Sequence, residues 1–172
     1  MKKISVVAVL ILFFLTACTV QETMNPDLFI ERFTDQFPEF SVDAEQMFYE
    51  NEKCVVFLNN QGGRRFAMEM TVDSADVVQK ISLACAETDK ADDFYNLAES
   101  VVKVYAPDED FKTASKKLFC GKKYSYYETQ WYYYSFSESE TGLIFCIENK
   151  RLSPEKEERL TLKENDIVTG NR

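Results

Sequence analysis

Between residues 64 and 72 the side chains alternate cleanly. Phe66, Met68, Met70 and Val72 share one parity, and Arg65, Ala67, Glu69 and Thr71 take the other. Successive strand side chains point to opposite faces, so this pattern describes a strand buried on one side and wetted on the other. A sheet of such strands is antiparallel and needs cover on one face only.

The flanking segments extend the sheet. Residues 46–50 and 53–59 are rich in β-forming side chains, and Asn60-Gln61-Gly62-Gly63 supplies a turn. Asp73-Ser74-Ala75-Asp76 turns the chain again into 77–86, with Val77, Ile81, Leu83 and Cys85 inward, giving an antiparallel meander. Helices supply the cover. Asn25-Pro26-Asp27 has the form of a helix start, followed by Phe29, Ile30, Phe33 and Phe37 at helical spacing, and Pro38 stops it. Residues 89–105 carry a 3.6-period stripe through Phe94, Leu97, Ala98, Val101, Val104 and Tyr105. A second helix is expected over 108–119, ended by Gly121, and Ser153-Pro154-Glu155 begins a short charged helix to about Lys163. The expectation is a single α+β domain over 26–163, an antiparallel sheet with helices on one face and a flexible tail at 164–172. The sequence contains no internal repeat.

Residues 122–136 hold eight aromatic side chains, on both parities. Read as one strand paired with 142–149 around a turn at 137–141, this segment has more apolar surface than a half-buried strand needs. One reading is a central strand covered on both sides. The other leaves an aromatic contact surface, since Tyr and Trp give rigid amphipathic area and are enriched at binding hot spots. Tyr132, Tyr134 and Phe136 take the inward parity, which assigns Tyr127, Trp131 and Tyr133 to that surface.

The first residues set the cellular context. Lys2 and Lys3 precede an apolar run of twelve residues, 4–15, too short for a spanning helix of ~20 residues. Leu15-Thr16-Ala17-Cys18 follows. The pattern resembles the lipobox of bacterial lipoproteins. The resemblance covers 1–18 only, and it implies a signal peptide at 1–17 and a lipid-modified Cys18 on a tether reaching to 25. It further implies attachment to the cell envelope, with the outer membrane favoured in a diderm cell because Thr19, and not Asp, follows the cysteine. Two or three acyl chains hold a protein on a bilayer where one binds marginally.

Cys54, Cys85, Cys120 and Cys146 remain, an even number suited to two disulfides in an oxidising compartment. Counting outward from the two turns places Cys54 and Cys85 at opposite ends of the sheet, which favours 85–120 with 54–146. The chain has no histidine and no Cys-x-x-Cys, so the cysteine spacing does not resemble a zinc site and His-dependent triads are excluded, and no glycine-rich phosphate loop occurs. No cofactor is implied. Without Lys2 and Lys3 the mature chain has 18 basic against 29 acidic side chains, a net charge of −11. Such a surface disfavours nucleic acid. The leading expectation is a non-enzymatic, lipid-anchored module for a protein partner, of assembly, inhibitor or immunity type. The alternatives are an envelope hydrolase using paired carboxylates and a lipoprotein that holds a small ligand beneath helix 89–105.

Overall fold

The computed structural model describes residues 23–43, 46–87 and 91–152. The signal segment, Cys18 and the expected helix and tail after 153 lie outside these residues. What is described is an α+β domain, as the alternation at 64–72 requires. Three helices, α1 (Pro26–Gln36), α2 (Ala91–Tyr105) and α3 (Phe111–Leu118), accompany eight strands. These are β1 (Phe40–Val42), β2 (Phe48–Glu50), β3 (Lys53–Asn60), β4 (Arg65–Val72), β5 (Val78–Cys85), β6 (Tyr124–Glu128), β7 (Tyr132–Ser139) and β8 (Gly142–Asn149). All pairings are antiparallel, in the order β1-β3-β4-β5-β8-β7-β6, with β2 also pairing β3.

The helix starts follow from their caps. The Asn25 side chain accepts from the Leu28 N–H at 2.8 Å and Pro26 takes the first turn, where its missing N–H costs nothing. In α3 the cap is Asp110, which accepts from the Lys112 N–H and the Thr113 hydroxyl. The helix therefore begins at Phe111, three residues later than the acidic run 108–110 suggests.

Turn chemistry sets the register. Asn60 and Arg64 close a three-residue loop in which Gly63 has φ +74°, so Cys54 faces Met70. Asp73 and Val77 close a second such loop, with Asp76 at φ 59°. Each loop is one residue longer than a two-residue hairpin turn, which moves the pairing from the expected 54–69 to 54–70. The alternation then fits, because Cys54 and Met70 are both fully buried. Asp73 accepts backbone N–H bonds, Val77 foremost and then Ala75, and these hold its carboxyl below the usual range.

The sheet consists of two three-stranded meanders, β3-β4-β5 and β6-β7-β8, joined through their last strands. Helix α1 precedes the first meander; α2 and α3 precede the second. A recurrent plan thus exists in the topology although the sequence carries no repeat.

One face is covered. Phe29, Phe33, Phe40, Phe66, Phe94 and Phe136 form a chain of ring contacts from α1 across the sheet, with centroids 5.8 to 6.5 Å apart. Phe111 and Phe119 extend it onto Phe145. Tyr105 fixes the end of α2 by donating to the Val78 carbonyl at 2.8 Å. Arg64, only 6% exposed, is paired with Glu87 at 3.0 Å and Asp93 at 2.6 Å, tying the β3–β4 loop to the start of α2.

Tyr134 is fully buried, and its hydroxyl has no hydrogen-bond partner among the described residues. Burial pushes its ionisation far above the ordinary tyrosine value. Removing an unsatisfied buried polar group removes a desolvation cost. Tyr134→Phe is therefore expected to hold or raise stability, by up to about 1 kcal/mol. A thermal melt showing a loss of that size instead would mean the hydroxyl has a partner in solution.

Candidate functional site

The other face of the sheet carries no helix among the described residues. Its composition follows from register. Ser82, Cys146 and Ser135 sit side by side on β5, β8 and β7, and the same row ends at Tyr126 on β6. In the next row Ala67, Ala84, Ile144 and Ser137 lie between Phe57 on β3 and Tyr124 on β6. In these two rows Ala67, Ser82, Ala84, Cys146, Ser135 and Ser137 are small, while Ile144 and, on β4, Glu69 are not. The row beyond carries Thr71, Lys80, Glu148 and Tyr133. The four middle strands span about 14 Å at ~4.8 Å per step. Larger rings stand at the margins.

The β6 margin is the more aromatic. Tyr126 and Tyr133 stack at 6.3 Å with planes 18° apart, and the Tyr124 and Tyr133 hydroxyls are 3.5 Å apart. Tyr124, Tyr126 and Ile144 are 56, 52 and 48% exposed, far more than structural rings in a covered sheet. At the opposite margin Phe48 is 55% exposed, and the Arg65 guanidinium lies 4.0 Å over the Phe57 ring. Arg65 is fixed there by a hydrogen bond to Gln46.

The aromatic run was expected to be one strand, and it is two. Thr129 breaks it: its Oγ1 accepts from the Trp131 and Tyr132 N–H groups, and its own N–H donates to the Tyr132 carbonyl. The break shifts parity between the halves, so Tyr127, Trp131 and Tyr133 do not share a surface. Tyr127 points to the helix side, near Tyr134, with the Lys117 ammonium 4.8 Å over its ring. Trp131 lies in the turn at the sheet end, under the Arg151 guanidinium at 3.1 Å. Only Tyr133 belongs to the open face, joined there by Tyr124 and Tyr126, which a single-strand reading misplaces or omits. The parity of Ala67, Ser82, Ala84 and Ser135, small and on the wet side, was the available signal for the floor between them.

The expected disulfides are not formed. All four cysteines are free thiols. Cys54 lies on the helix face of β3 and Cys146 on the open face of β8, with β4 and β5 between them. Three strand steps amount to about 14 Å, twice what a disulfide spans. Cys85 is buried and its thiol donates to the Glu87 carbonyl at 3.4 Å, while Cys120 is exposed beyond α3. Burial raises the Cys54 thiol, so it is poorly suited to act as a nucleophile. On the open face the Cys146 thiol donates to the Ser82 hydroxyl at 3.2 Å.

Two clefts open elsewhere. One of about 440 Å³ lies between α2 and the β3–β4 loop, lined by Asn60, Asp93, Asn96 and Lys103. The other, about 880 Å³, lies at the C-terminal end of α2 between Arg32, Tyr105, Trp131 and Arg151. Neither is an enclosed apolar volume beneath α2, the form expected of a small-ligand site. Among the described residues no cluster of acidic or sulfur side chains could hold a metal, and no helix is long and apolar enough to cross a membrane. The chain matches no family model, no curated protein and no solved structure.

Proposed function

We propose that this chain is a lipid-anchored protein of the bacterial envelope that acts by binding a partner protein through the open face of its sheet, without catalysis. Attachment rests on the lipobox-like Leu15-Thr16-Ala17-Cys18, and a membrane contact made through lipid leaves the folded body free to engage something else. The observation that supports binding is the one-sided cover of the sheet. Tyr124, Tyr126 and Phe48, each more than half exposed, border a face that mixes small side chains with Glu69, Lys80 and Glu148, and these rings keep apolar area in water that folding alone does not require. Tyrosine at such a margin combines contact area with a hydrogen-bonding tip.

A photo-crosslinking amino acid tests this in the native envelope. Placed at Tyr124, it is expected to capture a discrete protein species, while the same group at Lys103 on α2 captures none. The double variant Tyr124→Ala with Tyr126→Ala should abolish capture at an adjacent open-face position while shifting stability by about 1 kcal/mol or less, as for other surface changes. Equal capture from both faces would overturn the assignment of the surface.

A further inference from the structure

We infer that the edge formed by α3 and β6 is a cationic docking surface for an acidic polypeptide. Residues 112–123 contain Lys112, Lys116, Lys117, Lys122 and Lys123, five of the chain's 20 basic side chains, with no acidic residue among them. All five are exposed, and none forms an ion pair among the described residues. Helix α3 seats on β6 through the Ser125 hydroxyl, which donates to the Leu118 carbonyl. Lys117 flanks that contact over Tyr127, and Lys122 and Lys123 lead directly into β6 at Tyr124.

Helix electrostatics account for Lys116 and Lys117, which sit in the last turn where the dipole favours cations. They do not account for Lys112, which stands in the first turn against the dipole, or for the pair beyond Gly121. A cluster of this density, with no ion pair among the described residues, on a chain whose net charge is −9, is complementary to carboxylates from another molecule.

Its position separates the candidates. Described chain begins beside Val78, whose N–H donates to the Met24 carbonyl. The Glu138 backbone N–H donates to the Lys123 carbonyl, which places Lys123 level with Cys85 at the other end of β5, about 23 Å away along the strand. On the lipid-anchored reading proposed above, the tether from Cys18 joins the described domain at the Val78 end, so the lysines lie at the end farther from that junction. Glu138 and Glu140 border the cluster on one side and Asp108, Glu109 and Asp110 precede it on the other, which limits any anionic partner to the short lysine patch between them.

The test uses the chain from residue 19 onward without lipid, so it does not depend on anchoring. Fluorescein-labelled polyglutamate is titrated by anisotropy against this protein and against the variant carrying Lys116→Glu, Lys117→Glu, Lys122→Glu and Lys123→Glu. Binding that weakens with salt and falls at least about tenfold in the variant is expected, with Lys103→Glu as an unaffected control. A Gln version of the same four changes should fall less but in the same direction, and it replaces the charge-reversed protein if that one loses its melting transition. Equal binding by variant and parent, or none by either, overturns the proposal. So does tighter retention on phosphatidylglycerol vesicles or duplex DNA through the same lysines, or self-association that the four changes abolish, since those outcomes assign the surface to lipid, to phosphate or to a second copy. None of these results bears on whether Tyr124 and Tyr126 take a partner.

Discussion

Gly142→Ala should cost about 3 kcal/mol or more of folding free energy, which in a domain of this size lowers the melting temperature by roughly 6–12 °C. Gly142 opens β8 at φ +143°, a conformation that side chains rarely adopt. A Cβ at this position would also be driven into the Cys85 carbonyl oxygen, which is backbone and cannot rotate aside. The clash falls where β8 meets β5, the seam between the two meanders. Gly63 provides the contrast. It too has positive φ, at +74°, but nothing lies within 4 Å of the place its Cβ would occupy. Gly63→Ala should therefore cost only about 1 to 2 kcal/mol, the backbone part alone. Urea unfolding of the two variants would separate strain from collision. Equal losses would refute the close approach of Gly142 to Cys85.

The second large effect is expected at Phe145. Its ring is fully buried against Phe111, Phe119 and Tyr134, where α3 meets the sheet. Truncation there removes contacts that no neighbour can replace without moving a helix, so Phe145→Ala is expected to cost about 4 kcal/mol. Phe57, on the opposite face and covered mainly by the Arg65 guanidinium, should lose only about 1 kcal/mol on the same change. The two-sidedness of the sheet predicts this difference. Comparable denaturation midpoints for Phe145→Ala and Phe57→Ala would mean that the open face is covered in solution.

The two-sided sheet was legible because it rests on parity, which register shifts cannot hide when one face is strongly apolar. Phe66, Met68 and Met70 declare a buried side on their own, and the stripe from Phe94 to Tyr105 declares a cover for it. The break at Thr129 was not legible. Glu128-Thr129-Gln130-Trp131 has neither glycine nor proline, and the turn depends on a threonine hydroxyl that accepts from two backbone N–H groups. A β-branched residue amid aromatics reads locally as strand. That single misreading moved Tyr127 to the wrong side and hid Tyr126. The cysteine pairing failed for another reason: an even count states capacity, whereas a bridge needs two β-carbons on one face and close together. The lysine edge lay in view at 112–123, but the absence of ion pairs around it among the described residues is what distinguishes it from an ordinary helix terminus.

β8 lies beside β5, the middle strand of the sheet, and is the last strand in the described chain, so their seam joins segments from the two halves of the sequence. Ile81 finds Ile147 only after more than sixty intervening residues have been made. Neither meander can bury the flank of its third strand alone. The β5–β8 seam is therefore a long-range contact, of the kind that slows folding. Among the described strands the piece that locks the two meanders together is thus the one that is made last.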